Sequence, residues 1–381
     1  MPKTALPAVF MRGGTSKAIM FHARDLPADR AAWDAIFLGA MGSPDPYGRQ
    51  LDGMGGGVSS LSKVCVLAPS ARDDADIDYT FAQVQIRDAR VDYRGNCGNM
   101  SSAVGPFAVD EGLVAMTGET ALVRIFNTNT EKLIHASFPL RAGRVAEDGD
   151  LAIPGVGGTG APIKLDFLAP GGATTGRLLP TGRVRDVLEI PDLGPIEVSL
   201  IDAANACVFL RAADLGLRGT ELPDALEADA ALLRRLEMIR AHASVAMGIA
   251  PTPEAARTIR VVPFIGFVAP PAAARTLGGE ALAAEAIDLT ARVISNGQPH
   301  RALPLTISLC TAVAARIEGT LVAEAARPTG EGALRLGMPS GVLTVAADVA
   351  RDAAGAWVAR SGAFYRTARR LFDGRVWVAG E

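Results

Sequence analysis

Two side chains have types and surroundings that suit acid–base chemistry, and the first is a cysteine. Cys97 lies in the segment RGNCGN, between two glycine–asparagine turns, where a predicted strand gives way to a predicted helix. The amides and the positive dipole end of a helix N-terminus favour a thiolate, which lowers a thiol's pKa, and the same amides can hold a carboxylate. Gly95 and Gly98 leave room for a ligand to approach the backbone. The sequence therefore predicts that Cys97 is a reactive thiol.

The second is Lys63, which ends the segment GGGVSSLSK just before a β-type run. Only five of the 38 basic residues are lysines, and a lysine can lose its proton and act as a base where an arginine cannot. Two interpretations stay open at this point. Lys63 is either a proton-transfer group in a water-poor cleft or a solvated lysine at a strand end.

Other motifs that often carry chemistry are better explained structurally. Residues 155–160 spell G-x-G-x-x-G, but Pro154 precedes them and a strand-like run follows, so the segment is interpreted as a turn and not as a dinucleotide site. The four histidines are scattered without paired spacing, so no metal site is predicted. The remaining cysteines lie in strands or apolar runs and are predicted to be buried: Cys65, Cys207 and Cys310.

Composition excludes several classes of protein. The 381 residues are 49% hydrophobic and 21% charged, with a net charge of -3, as in an ordinary globular protein long enough for two domains. Neither sign of charge forms the runs that bind nucleic acid or anionic lipid, and no apolar stretch has the length of a signal peptide or a membrane span. The expected location is therefore the cytoplasm, with neither nucleic acid nor membrane as a partner.

Hydrophobic periodicity predicts the elements that position these residues. The opening predicts a hairpin around Arg12–Ser16, a helix over residues 28–41, and then a long glycine-rich loop that is either functional or disordered. A second hairpin leads to a helix of small residues after Cys97. The second half repeats this order with predicted helices over residues 224–247, near 283–295 and after Leu303. Two similar domains are predicted.

Several segments resemble the PrpF-like isomerases, a family that includes 2-methylaconitate cis-trans isomerase, methylitaconate isomerase and 4-oxalomesaconate tautomerase. The resemblance spans nearly the whole chain, and its most specific segments are FMRGGTSKA, MGSPDPYGRQLDGMGGGVSSLSKV and GNCGNMSSAVGPFAVDEGLV. It implies an α/β (α+β) fold like that of diaminopimelate epimerase, in which two domains each place a curved sheet around a central helix and the active site lies in the cleft between them. We set the domains at 1–184 and 185–381, with the last strands possible members of the first domain.

The resemblance also implies the site and the activity. Lys63 and Cys97 are the implied catalytic pair, without a cofactor or metal, and the substrate is an unsaturated di- or tricarboxylate whose double bond shifts as a proton moves. Lys63 is taken as the base and Cys97 as the acid, although these roles could be exchanged or Lys63 could shuttle the proton alone. Substrate-binding residues are expected in both halves of the chain: Ser16, Ser60, Asn96, Gly98, Asn99, Ser340 and Gly341.

The chain departs from the family pattern in its second half. Where the family usually has His-Pro-Ser-Gly, this chain has Met338 before Pro339, and the family's Met-rich helix entry is replaced by residues 300–304. These changes are expected to affect substrate choice and not reaction type. Two alternatives remain open, a non-catalytic accessory protein of an aconitase-type enzyme and a two-base epimerase. The oligomeric state is also open, with a homodimer as one option.

Overall fold

The computed structural model describes residues 3–93, 97–259, 262–295, 297–328, 330 and 332–379. The chain divides into two compact units. Unit 1 comprises residues 1–167 and 365–381, and unit 2 comprises residues 168–364. These bounds differ from the predicted domains 1–184 and 185–381. A compact unit is not by itself an independently folding domain, so the predicted domain limits stay a prediction.

Unit 1 is a mixed sheet with two helices in its crossovers. Its strands are β1 (Lys3–Gly13), β2 (Ser16–His22), β3 (Lys63–Pro69), β4 (Ile77–Val84), β5 (Val91–Asp92), β6 (Thr120–Asn127), β7 (Lys132–Arg141), β8 (Arg144–Val145), β9 (Ile163–Leu168) and β21 (Ala368–Ala379). The main pairing order is β21-β1-β2-β3-β4-β6-β7-β9. Helix α1 (Trp33–Met41) links the parallel pair β2 and β3, and α2 (Gly98–Asp110) links the parallel pair β4 and β6.

Unit 2 repeats this order. Its strands are β10 (Asp186–Ile190), β11 (Gly194–Ala203), β12 (Asn205–Arg211), β13 (Phe264–Ala269), β14 (Ala274–Arg275), β15 (Ala281–Leu282), β16 (Leu289–Ser295), β17 (Gln298–Pro299), β18 (Leu334–Met338), β19 (Gly341–Arg351) and β20 (Trp357–Arg366). Helices α3 (Pro223–Ala228), α4 (Ala230–Ala246) and α5 (Pro253–Thr258) lie between the parallel pair β12 and β13, and α6 (Leu305–Ala315) and α7 (Leu321–Ala325) lie between the parallel pair β16 and β18. The predicted internal repeat is confirmed.

Each unit buries one helix against its sheet. Every residue of α2 from Met100 to Ala108 is buried, as expected of a helix whose surface is small and apolar all round. This helix packs on β21, β1, β2, β3, β6 and β7, so the sheet must curve around it. In unit 2, α6 is equally buried and packs on β11, β12 and β19. A sheet around a central helix in each unit confirms the predicted α/β, diaminopimelate-epimerase-like fold class.

The repeat extends to one ion pair. Asp76 precedes β4 and accepts hydrogen bonds from the Arg124 backbone N and Nη2, both at 2.7 Å. Asp288 precedes the corresponding strand β16 and accepts from the Arg335 backbone N at 2.9 Å and Nη2 at 2.7 Å. In both pairs the aspartate N–H also donates to the arginine carbonyl oxygen. The same aspartate–arginine contact therefore joins the two strands on either side of the central-helix crossover in each unit.

This ion pair predicts how stability depends on pH. Hydrogen bonds from Arg335 lower the pKa of Asp288, so its carboxylate stabilises the fold above the unfolded-state value of about 3.9 and loses that effect as the pH falls through the folded-state value. We expect Asp288→Asn to lower the urea midpoint at pH 7 and the difference from the parent to shrink below about pH 4. The exposed Asp148, changed to Asn, is the control. If the urea midpoints of Asp288→Asn and the parent differed as much at pH 3 as at pH 7, the stabilising role assigned to the Asp288 carboxylate would be contradicted.

Three predicted elements differ from the structure. The predicted helix near 283–295 is wrong, because only Ala284–Ala286 form a 3-10 turn and Leu289–Ser295 form β16, whose alternating apolar residues pair with β13. The helix predicted over 224–247 is divided at Asp229, whose side chain caps α4 by accepting from the Leu232 N–H at 2.8 Å. Helix α1 begins at Trp33 because a 3-10 turn precedes it. No described helix is long and apolar enough to cross a membrane.

Candidate active site

The two faces of strand β3 have different roles. Val64 and Val66 pack with Phe37 of α1 in the apolar core of unit 1. Because side chains alternate along a strand, Lys63 and Cys65 point to the opposite face. Leu67 lies on the same face as Lys63, and its partner on β4 is Tyr79. Because Tyr79 hydrogen bonds with Ser101 of α2, this is the face that α2 covers. The sheet therefore directs Lys63 toward the side on which α2 lies.

Lys63 is buried at the start of β3, with 7% of its surface exposed. Its Nζ donates to Oε1 of Gln83, the residue directly opposite on β4, and lies 5.1 Å from the centre of the Phe81 ring. The structure thus excludes the solvated strand-end interpretation of this lysine. The amine is held in place by the Gln83 amide beside an aromatic ring, and a proton-transfer group must be positioned in this way.

Cys97 caps the N-terminus of α2, as the sequence predicted. Its Sγ accepts from the Met100 N–H at 3.5 Å, and its carbonyl oxygen accepts from the Ser101 hydroxyl at 3.1 Å. Burial, followed by the nearby Cys97 thiol, raises the pKa of Cys65. Burial, Cys65 and Cys97 together raise the pKa of Tyr79. Cys97 therefore lies close to Cys65 and Tyr79, on the face of the sheet that also carries Lys63.

Cys97 is expected to react with iodoacetamide before the other three cysteines. It is partly exposed, whereas the others are fully buried and burial raises the pKa of each thiol: Cys65, Cys207 and Cys310. Peptide mapping after limited treatment of the native protein measures the order of labelling. The Cys97→Ala variant should take up little label until urea is added. Faster labelling of Cys65 or Cys207 in the native parent would contradict the expectation.

The glycine turn of the first hairpin packs directly on the start of α2. A Cβ on Gly13 would lie 2.6 Å from the Asn99 carbonyl oxygen, and one on Gly14, at φ +52°, would lie 2.2 Å from Asn99 Oδ1. Glycine is required here because no side chain fits between the turn and the helix. Ser16 follows this turn and is buried. The structure therefore brings Ser16, Gly98 and Asn99 to the region of Cys97.

A buried arginine fixes the amide of Asn99. Asn99 Oδ1 accepts from Arg366 Nε at 3.1 Å and from the Thr15 N–H at 3.4 Å. Because the oxygen accepts both bonds, Nδ2 is the part of this amide that can donate to a ligand. Burial lowers the pKa of Arg366 to about 10, which still leaves it charged at neutral pH. Arg366 is 267 residues from Asn99, and no sequence pattern indicated the contact.

The long loop between α1 and β3 is ordered by one glutamine. Gln50 is buried and donates through Nε2 to the hydroxyls of Ser43 at 2.9 Å and Ser62 at 2.7 Å, while its Oε1 accepts from the Gly57 N–H at 3.0 Å. The loop ends in a 3-10 turn, Ser59–Leu61, that contains the predicted binding residue Ser60, which is partly exposed. These bonds fix the segment that leads into Lys63.

The other predicted binding residues fall elsewhere. Ser340 and Gly341 lie in unit 2, at the turn between β18 and β19, and Ser340 Oγ is buried without a hydrogen-bond partner among the described residues. Met338, at the end of β18, is 5% exposed. Asn96 lies outside the described residues. Within the described ranges no three His, Cys, Asp or Glu side chains are grouped to hold a metal ion.

The repeat identifies the positions in unit 2 that correspond to the candidate pair. Helix α6 corresponds to α2, and its N-cap is Pro304 where α2 has Cys97. Strand β13 corresponds to β3, and it begins with Phe264 where β3 begins with Lys63. Cys310 lies further along α6, fully buried, with Sγ 3.7 Å from the Ile201 carbonyl oxygen. Unit 2 therefore carries neither group of the pair at the equivalent places.

Comparisons with known proteins agree with the resemblance. The family model described as PrpF protein matches residues 3–379. A 3-methylitaconate isomerase from Eubacterium barkeri is 43% identical over 376 residues, covering 98% of this chain and 97% of the relative. A 2-methyl-aconitate isomerase from Shewanella oneidensis is 39% identical, with 98% and 97% covered.

A crystal structure of a methylitaconate-delta-isomerase superposes with a TM-score of 0.92 at 42% identity, covering 100% of this chain and 98% of the other. Sequence and fold therefore agree over the full length of the described chain, and the chain belongs to the PrpF protein family.

Proposed function

We propose that this chain isomerises unsaturated di- or tricarboxylic acids by moving one proton and the double bond next to it. The isomerase class follows from the full-length relatives, which are named isomerases of methylitaconate and methylaconitate. The individual substrate and the roles of the side chains are our proposal. The roles of the side chains rest on one observation, that Lys63 and Cys97 lie on the same face of the unit 1 sheet, with Cys65 near both.

In the proposed reaction Lys63 is the base. Its neutral amine removes a proton from the carbon γ to a carboxylate, and the electron pair moves through the double bond to give a dienolate. The Cys97 thiol then donates a proton at the α-carbon, which leaves the double bond shifted by one position. One proton leaves the substrate and one returns, so no oxidant or reductant is needed. The Lys63 ammonium and the Cys97 thiolate that remain return to their starting forms by exchanging a proton with solvent. The proposed reaction accordingly needs no cofactor.

The start of α2 is suited to stabilising this dienolate. The first amides of a helix have no acceptor within the helix, and they lie at the positive end of its dipole. The Gly98 and Asn99 amides, together with Asn99 Nδ2, are the donors we assign to the developing negative charge. Arg366 holds the Asn99 side chain in the orientation that this requires.

The two-base epimerase is the less favoured alternative. Inversion at a stereocentre requires a second acid–base group on the opposite face of the reacting carbon. The epimerase mechanism would place its second thiol at the start of α6, where this chain has Pro304. The Cys310 thiol is fully buried, and burial raises its pKa, which makes it a poor substitute.

Proton exchange in deuterated water tests the proposed function. Unsaturated acids of the itaconate, aconitate and oxalomesaconate types are incubated with the enzyme and followed by proton NMR. We expect deuterium at the α- and γ-carbons of one acid together with a shifted double bond. If no acid of the panel exchanged a proton, the accessory-protein alternative would be favoured. If an amino acid lost its optical rotation, the epimerase would be favoured. The cytoplasmic location and the homodimer remain predictions.

A further inference from the structure

Lys63 is held by a neutral amide where a carboxylate would be the more common partner of a lysine. Its Nζ donates to Gln83 Oε1, and no carboxylate among the described residues forms an ion pair with it. An ion pair would hold Lys63 in its charged form. A neutral acceptor positions the amine without placing a negative charge beside it.

The orientation of Gln83 is fixed by the backbone next to Lys63. Its Nε2 donates to the carbonyl oxygens of Ser59 at 3.1 Å and Ser62 at 2.9 Å. Rotation of the amide by half a turn would place an oxygen against these two carbonyls and lose both bonds. Oε1 must therefore face Lys63. Ser62 is itself held through its hydroxyl, which donates to the Val84 carbonyl oxygen at 3.0 Å.

Gln83 also separates Lys63 from an acidic residue. The pairing registers place Lys63 on β3, Gln83 on β4 and Asp92 on β5 in one row across the sheet. Among the described residues, the titratable group next to Lys63 on the same face of β3 is Cys65, and Tyr79 and Cys97 lie next to Cys65 in turn. On β2, the partners of Val64 and Cys65 are the apolar Ile19 and Met20. A glutamate at position 83 would bring a carboxylate next to the amine.

We propose that Gln83 is a positioning residue for the base: it orients the Lys63 amine through an uncharged acceptor and so lets that amine cycle between its protonated and neutral forms. The inference rests on the proposed function, because it assigns Lys63 the role of base. Unit 2 is consistent with Gln83 serving Lys63. The strand equivalent to β3 begins there with Phe264, so it has no amine to position.

The Gln83→Glu variant tests this proposal without reference to a substrate. The chain has five lysines, so selective ¹³C labelling of lysine Cε gives five signals whose pH titrations can be followed by NMR, with Lys63 assigned from a Lys63→Met sample. We expect the Lys63 signal to titrate about one pH unit or more higher in Gln83→Glu than in the parent. The matched control is Gln85→Glu, which adds the same charge two residues further along the chain, just beyond β4, and should leave the Lys63 titration in place.

Kinetics supply the second measurement. At neutral pH kcat of Gln83→Glu should fall about tenfold, and it should recover as the pH is raised, because a base must lose its proton before it acts. Gln83→Met removes the acceptor without adding charge, so its kcat should fall without a shift of the pH profile to higher pH. Thermal unfolding of each variant shows whether the fold is retained.

The outcomes separate the two proposals. An unchanged Lys63 titration in folded Gln83→Glu, or a loss of rate that is equal at every pH, would overturn the positioning role while the parent's activity still supported the proposed function. A shifted titration in a protein that turns over no acid of the panel would overturn the proposed function, and with it any role of Gln83 in catalysis. A shifted titration with a shifted pH profile supports both.

Discussion

Replacing Lys63 by methionine should lower kcat about 10³-fold while leaving the fold intact. The side chains are similar in length, so the loss isolates the amine, and removal of a general base costs between about 10² and 10⁴ in rate. The amine is buried and fixed by Gln83, and no other lysine among the described residues shares that partner. Initial rates on the acid identified by deuterium exchange, compared with the parent at equal concentration, give the factor directly.

The matched control is Lys164→Met. Lys164 is a partly exposed lysine of the same unit that pairs with Asp166 at 2.8 Å, and its loss should change kcat less than twofold. Partial recovery of Lys63→Met on addition of a small primary amine would support the assignment further. A Lys63→Met enzyme that keeps more than a tenth of the parent rate would contradict the role of base.

The second large effect is expected from Gly53→Ala. A Cβ at this position would lie 2.1 Å from the Gly42 nitrogen and 2.3 Å from the Met41 carbonyl carbon, both of them backbone atoms at the end of α1. Backbone cannot rotate away as a side chain can, so the loop must shift. We expect the free energy of unfolding to fall by about 2–3 kcal/mol, as for overpacked sites. Urea unfolding followed by circular dichroism measures the change.

Gly157→Ala is the control for that substitution. No atom lies within 4 Å of a Cβ built there, and its backbone is not in the left-handed region. Its stability should therefore match the parent within about 0.5 kcal/mol. Equal stability of the two alanine variants would show that the loop is not held against α1 in solution.

Local patterns in the sequence were sufficient for much of the fold. The hairpin at the N-terminus, the helix after Cys97 and the strand after Lys63 each depend on neighbouring residues, and all three are present. The alanine-rich approach to β16 favours a helix by local propensity, whereas the β-branched residues that follow pair with β13 and form a strand. Tertiary pairing overrode local propensity there.

The contacts that orient the candidate site were not predictable in the same way. Gln83 meets Lys63 because an antiparallel register aligns them across 20 residues of chain, and Arg366 meets Asn99 across 267. Nothing in the neighbourhood of either residue indicates such a pairing. The reactive residues could be proposed from type and setting, but the residues that hold them could be identified only from the folded chain.

The pairing of β1 with β21 has a consequence for the synthesis of this protein. The register runs from Lys3 with Ala379 to Gly13 with Ala368, so β1 can form this pairing only after β21 has been synthesised. Lys63 and Cys97 leave the ribosome early, yet Arg366, which fixes Asn99, and Thr367, whose carbonyl accepts from the Gly14 N–H at 2.9 Å, emerge only after the whole of unit 2. A nascent chain therefore carries both reactive side chains long before it can complete their surroundings, and the site is finished only after residues 366 and 367 have been made and have packed against Asn99 and Gly14.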